Sequence, residues 1–343
     1  LVTLAQGRPF GFLDHNLRGG DSLLGIHRLD QLTELTMTPT GKGQQRLFGQ
    51  NIERAVHEAI ELRQRLRQMP IRDIRDVEAM ARLDADARQK LEVPERIADA
   101  FIGEVFAARG SGSGLENALA SLAVQAGQVI DGDQDVLASM YRKSVAALST
   151  DLPADKPARR PFHWPLEFPE VFTTEQRGFA AFVGNPPFLG GKRISTVMGT
   201  TFNTYLANTH LGASKNTDLV AHFFRRAFDT LRDEGCLGFL ATNTIAEGDT
   251  RQGGLEWLLK HGATIYAAWP NEPWPGSAAV VTSRVHIYKG DWRAIRSLLG
   301  HPVRHISAYL SSQEDWSPRR LKANEGKAYI GSLLNGIGFV LDE

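Results

Sequence analysis

Hydrophobic positions change their spacing twice along this chain, and the changes divide it. Leu47, Phe48, Ile52, Ala55, Val56, Ala59, Ile60 and Leu62 recur at i, i+3, i+4 and i+7, opposite a face of Arg and Glu. That spacing predicts an amphipathic helix ending before Pro70. A second helical stretch runs from about 77 to 91, and Pro94 is expected to open a third at its first turn. Gly110-Ser111-Gly112-Ser113-Gly114 reads as a flexible connection, after which helical patterns resume from 115 to 148. From 151 the pattern switches to short apolar runs alternating with helices. Residues 178–183 are apolar throughout and predict a buried parallel strand. Leu219, Val220, Phe223, Phe224, Ala227, Phe228 and Leu231 line one face of a helix over 217–231, with Gly235 after it. Residues 236–242 predict the next strand, which delivers Asn243 and Thr244 to its carboxyl edge. A helix near 255–260, a strand over 264–268 and a second strand over 278–288 follow, the last two as a hairpin.

Strands alternating with helices define an α/β sheet. The helical run at 45–150 is too long for a loop and reads as an insertion to which no chemistry is assigned. The expected organisation is sheet-core residues in 1–44, the helical insertion in 45–150, the main core in 151–290 and a connection to a further domain in 291–343.

At 343 residues, 42% hydrophobic and 23% charged, the composition is that of an ordinary globular chain. The net charge is zero, so no global basic signature marks a nucleic-acid binder, although a local patch would vanish in the sum. The lone cysteine, Cys236, excludes an internal disulfide framework and points to a reducing, cytoplasmic setting; it reads as a core thiol. No apolar run approaches the length of a membrane span, and no signal-peptide pattern stands at the start. Leu1 falls in mid-pattern and residues 339–341 read as the start of another element, so a fragment open at both ends is expected. No metal-ligand spacing occurs.

Candidate chemistry gathers at Gly184-Asn185-Pro186-Pro187-Phe188. Two prolines forbid helix and ladder bonding, so the strand must stop and the chain turn rigidly outward. Ligands of open α/β sheets bind just past the carboxyl ends of strands. There, the Asn185 side-chain oxygen and the Pro186 carbonyl could accept both hydrogens of an exocyclic amino group, with Phe188 stacked on the ring. Upstream, Gly19-Gly20-Asp21-Ser22-Leu23 suits a turn of close backbone approach, in which Asp21 either accepts from a ligand or caps a helix starting at Ser22. Gly190 and Gly191 precede Lys192 and Arg193, cations that could meet phosphates or serve as ordinary loop charges.

Asn-Pro-Pro-Phe after a hydrophobic strand resembles the catalytic motif of S-adenosylmethionine-dependent amino methyltransferases acting on adenine in DNA. Phe162-His163-Trp164-Pro165-Leu166-Glu167-Phe168-Pro169-Glu170-Val171-Phe172 is similar to the lead-in of type IIG restriction–modification methylases and related phage-defence methylases. It departs at Pro165, where that pattern often has Glu. Its two prolines predict an edge or extended covering segment, and His163 and Glu167 suit packing or capping as well as catalysis. Gly-Asp-Ser-Leu resembles the family's cofactor-adenine motif.

The resemblance implies a Rossmann-like S-adenosylmethionine-dependent methyltransferase core of seven strands with a helical insertion, and site-specific adenine-N6 methylation of double-stranded DNA. It implies Asn185, Pro186, Pro187 and Phe188 as the catalytic set, Phe188 and Trp274 as base-stacking rings, with Trp269 as rival. Asp21 and Ser22 would bind the cofactor S-adenosyl-L-methionine, and Lys192 and Arg193 would bind DNA. Endonuclease and target-recognition domains are expected elsewhere in the full-length chain. The family's glycine-rich cofactor turn precedes Gly-Asp-Ser-Leu and has no counterpart in residues 1–20. Two rivals remain: methylation of a protein glutamine amide, which presents the same hydrogens, and a decayed domain that only binds DNA.

Overall fold

One mixed sheet organises the second half of the chain in the computed structural model, which describes residues 12–39, 46–109, 113–173, 175–274 and 280–313. Its strands are β1 (Phe179–Gly184), β2 (Leu231–Thr242), β3 (Ala263–Pro273), β4 (Val281–Lys289), β5 (Arg296–Leu298) and β6 (His301–Val303). They lie in the order β1-β2-β4-β3-β5-β6. β1 runs parallel to β2, while β4 runs antiparallel to both β2 and β3. The arrangement is the expected α/β, Rossmann-like one: a parallel pair joined through helices, then an antiparallel hairpin. Six strands stand among the described residues where seven were expected. β5 and β6 prolong the sheet beside β3, within the stretch read as a connection.

The crossover from β1 to β2 is carried by α8 (Gly191–Met198), α9 (Thr200–Thr209) and α10 (Leu219–Thr230). The apolar stripe of α10, including Val220, Phe224, Ala227 and Phe228, is buried with Leu237 and Phe239 of β2, Ile265 of β3 and Val285 and Ile287 of β4. This is the face its 3.6-residue spacing dictated. Helix and strand abut at Leu231, ahead of the expected stop at Gly235. The extra residues sit in a bulge, since Phe179 pairs with Leu231 but Ala181 pairs with Cys236. Lys289 donates to the Phe228 and Leu231 carbonyls, which satisfies the end of α10.

β1 is not the buried strand its composition suggested. Among the described residues it has a hydrogen-bonded neighbour on one side only, and Val183 is 93% exposed. An apolar run signals a strand; what flanks that strand decides its burial.

A short α1 (Leu29–Glu34) precedes the insertion, which helices fill as α2 (Gly49–Gln68), α3 (Ile74–Ala107), α4 (Ser113–Ile130) and α5 (Gln134–Leu148). Pro94 does not open a helix; it lies inside α3, which runs through it for 34 residues. Ala87 and Leu91 before it and Ile97, Ala98 and Phe101 after it enter the same core. That shared burial outweighs the cost, about 3 kcal/mol, of an interior proline. The core also takes in Leu23, Leu24, Leu166 and Phe202, so the helices pack directly on segments that carry the motifs. Most of the glycine–serine connection lies outside the described residues.

Candidate functional site

β1 ends at Gly184, where a Cβ would stand 3.1 Å from the Phe239 ring, so the strand lies tight against β2 at its last residue. Asn185 is exposed and its side chain has no hydrogen-bond partner among the described residues. Pro186 is buried, Pro187 exposed, and the Phe188 ring 37% exposed. A buried proline beneath a free amide anchors the turn while leaving the amide available. The outgoing loop is fastened at its far end. Leu219 N–H donates to the Leu189 carbonyl at 2.9 Å, and Gly191 N–H donates to Asp218 Oδ1 at 2.8 Å. A Cβ at Gly191 would sit 2.1 Å from the Asn216 carbonyl oxygen, so only glycine permits this approach. Lys192 and Arg193 are exposed, but they stand in the first turn of α8 rather than in a mobile glycine loop, because the chain becomes helical at Gly191.

The same sheet edge carries three further segments. β2 ends in Thr242 and passes into a 3-10 turn, Asn243–Ala246, where Thr242 and Thr244 hydroxyls meet at 2.7 Å. Thr242 pairs with Thr282 at the start of β4, and Val281 with Pro273 at the end of β3. Trp274 follows, 37% exposed, with its backbone N–H on the Val280 carbonyl. Its rival Trp269 is engaged: the Arg284 guanidinium lies 4.5 Å over its ring, and His286 packs edge-on at 5.7 Å. The strand order sets β3 three spacings from β1, roughly 14 Å at about 4.8 Å each. The sheet alone therefore does not bring Trp274 beside Asn185.

Asp21 caps no helix, because no helix starts at Ser22. It forms an isolated parallel bridge with Pro161, and its Oδ1 accepts from Leu23 N–H at 3.1 Å. Burial pushes its carboxyl above the ordinary range, against the pull of backbone bonds from Leu23 and Leu24. The glycines around it serve protein contacts: a Cβ at Gly20 would meet the Phe162 ring at 3.1 Å, and one at Gly25 would overlap the Phe162 carbonyl. Within the fold, the close approach that these glycines allow is to Phe162. The loop is further held by Phe162 N–H on the Leu24 carbonyl and by Trp164 Nε1 on the Ser22 carbonyl.

The eleven-residue segment beginning at Phe162 is neither extended nor an edge strand. It forms two single-turn helices, α6 (Trp164–Glu167) and α7 (Pro169–Phe172), each with proline in its first turn, where no intrahelical N–H is needed. Its rings Trp164, Phe168 and Phe172 pack edge-to-face on Phe179 of β1, and Trp164 also on Phe182. Its polar residues point the other way. His163 Nε2 donates to Asp99 of α3 at 3.1 Å, Glu167 pairs with Arg18, and Glu170 with Arg63 and Arg67 of α2. His163 and Glu167 therefore fasten the segment leading into β1 to the helices and to the Asp21 loop, and their side chains are occupied in doing so.

Thr244 stands at the edge as expected, and its hydroxyl donates at 2.7 Å to Oδ2 of Asp218, a residue that the sequence reading passed over. Its signal was an Asp at a helix start, which reads as an ordinary cap. No group of three or more metal-ligating side chains exists among the described residues.

Residues 133–265, the stretch that holds Asn185, match the family described as Eco57I restriction-modification methylase. No curated protein matches the chain. Among solved structures it is similar to one described as the Type IIL restriction-modification enzyme MmeI in complex with DNA. That match has 20% identity and a TM-score of 0.33, and covers 53% of this chain and 27% of the other. The chain thus spans about a quarter of the length of that enzyme.

Proposed function

We propose that this chain carries the catalytic base-binding half of a site-specific DNA adenine-N6 methyltransferase of a restriction–modification or phage-defence system. The observation that supports this most is the Asn185–Phe188 turn: a free amide oxygen, a buried proline beneath it and an exposed ring, at the carboxyl end of a strand in a methylase segment. The amino group of adenine is engaged in its base pair, so the base must leave the stack to reach this turn. Asn185 Oδ1 and the Pro186 carbonyl then accept its two hydrogens, which turns the nitrogen lone pair outward. S-adenosylmethionine supplies the methyl group when bound. Orientation carries most of the rate, and the site needs no dedicated base.

The fit of this chain to the donor is partial. The Asp21 loop is rigidly held and carries a carboxylate, which suits recognition of an adenine amino group, while the Ser22 carbonyl is already taken by Trp164. Lys192 and Arg193 face solvent beside the turn, where they would meet phosphates flanking the extruded base.

Transfer of label from S-adenosylmethionine by the full-length protein to unmethylated DNA of mixed sequence, and not to protein, tests the reading. Label found on protein amides instead would replace it with glutamine methylation. Phe188 and Trp274 are the proposed base-stacking rings. Stacking is worth about 1–3 kcal/mol per base, so Leu at either position is expected to weaken binding of an extruded adenine analogue by about 5- to 100-fold, read from its fluorescence quenching. An unchanged signal for Trp274→Leu would leave Phe188 as the lone stacking ring.

A further inference from the structure

An aspartate at the first position before a helix ordinarily turns its carboxylate onto the helix's own free N–H groups. Asp218 occupies that place ahead of α10 and makes no such bond. Oδ1 instead accepts from Gly191 N–H at 2.8 Å, at the end of the loop leaving Asn-Pro-Pro-Phe. Oδ2 accepts from Thr244 Oγ1 at 2.7 Å, in the turn leaving β2. Its own backbone N–H donates to Thr250 Oγ1 at 3.1 Å, and the next residue donates to Leu189. One half-buried carboxylate therefore joins the loops that leave two adjacent parallel strands. Hydrogen bonds to an ionised carboxylate are roughly twice as strong as neutral ones, and they fix direction as well as distance.

The loop from Pro186 to Gly191 has few other fixed points. Pro186 anchors one end and the half-buried Leu189 side chain packs on the helical core, while Asn185 and Pro187 are exposed and Phe188 is 37% exposed. The position of the amide and ring relative to β2 is set at the other end by Asp218 and the Leu189–Leu219 bond. We propose that Asp218 is a positioning residue: through Gly191 and Thr244 it holds the Asn185–Phe188 turn in register with the β2 edge, so that the amide acceptor and the ring meet the same target group. The inference rests on the methyltransferase reading above. It predicts that losing the carboxylate lowers turnover and leaves the fold and the affinity for DNA and donor nearly intact.

The experiment uses the full-length protein, labelled S-adenosylmethionine and unmethylated DNA, with Asn185→Ala as control. Asp218→Ala is expected to lower kcat by about 100-fold, the scale of a misplacement of about 1 Å, with KM for DNA and for donor within about two-fold of wild type. Its thermal midpoint should fall by about 2 °C. Thr244→Val removes the bond to Oδ2 and leaves that from Gly191, so it should cost about 10-fold in kcat, and Asp218→Ala with Thr244→Val should cost no more than Asp218→Ala alone. Normal kcat in Asp218→Ala beside an inactive Asn185→Ala overturns the inference and leaves the methyltransferase reading standing. So does a parallel fall of kcat, affinity and thermal midpoint in Asp218→Ala with a silent Thr244→Val, because that is loss of fold. Normal turnover in Asn185→Ala removes the reading beneath, and this inference with it.

Discussion

Replacing Asn185 with Ala in the full-length protein is expected to slow methyl transfer to DNA by about 300-fold or more, the scale on which preorganised polar contacts act in closed sites. The amide lies at the end of β1 with no partner among the described residues, so its removal breaks no hydrogen bond among them. Stability should therefore change by no more than about 0.5 kcal/mol. Pro186 remains to hold the turn and Phe188 remains to stack, so binding of DNA should persist. The assay is the initial rate of label incorporation at saturating DNA, with the thermal midpoint measured on the same samples. Turnover within a few-fold of wild type would mean that the amide does not orient the reacting amino group, and the central assignment would fall.

The Asn185 turn and the elements around it were legible because local chemistry allowed few alternatives. Two prolines after an apolar run can only end a strand, and the 3.6-residue stripe of α10 can only face a core. The hairpin of β3 and β4 was visible in the same way, though β3 runs on past 268 to Pro273. Burial of β1 was not legible, because a strand's surroundings are decided by partners distant in sequence. Pro94 misled for a related reason: a proline reads locally as a helix start, and only the tertiary core spanning Ala87 to Phe101 shows why α3 continues through it.

Side-chain roles divide along the same line. His163, Glu167 and Glu170 look reactive in one dimension, and their partners Asp99, Arg18 and Arg63 lie 64, 149 and 107 residues away. Arg63 is 2% exposed and bonds the Glu167 and His15 carbonyls besides Glu170, so the aromatic lead-in to β1 is pinned to α2 by a buried cation. Gly20 was visible as a site of close approach, but glycine does not name what approaches. The structure gives Phe162. Asp218 was missed because a residue that joins two loops has no sequence period at all.

Acid should strip stability from a cluster that no sequence pattern suggested. His210 and His222, 3% and 1% exposed, face each other through their Nδ1 atoms at 2.7 Å, and both Nε2 atoms are buried without a partner among the described residues. Burial pushes the His222 ring down to about 3, helped by the Arg225 and Arg226 guanidinium groups. Burial also drives His210 far below its ordinary value, with His222, Arg226, Arg225 and His27 adding to the effect. Both rings therefore stay neutral in the folded chain while the unfolded chain protonates them near 6.5. Below that pH the unfolded state binds more protons, so stability falls by about 1.4 kcal/mol per ring for each pH unit, roughly 4 kcal/mol for the pair by pH 5. Glu95 acts in the opposite sense. Burial, with the Glu167 and Asp99 carboxylates, raises it to about 7, so it takes up a proton in the folded state as pH falls and stabilises the fold between about 7 and 4.5. The histidine contribution is isolated by comparing denaturant stabilities of wild type and His222→Gln at pH 7.5 and pH 5. The variant should lose about 2 kcal/mol less than wild type across that interval. Equal losses would show that the ring already takes up its proton in the folded state, and that the pair is open to water.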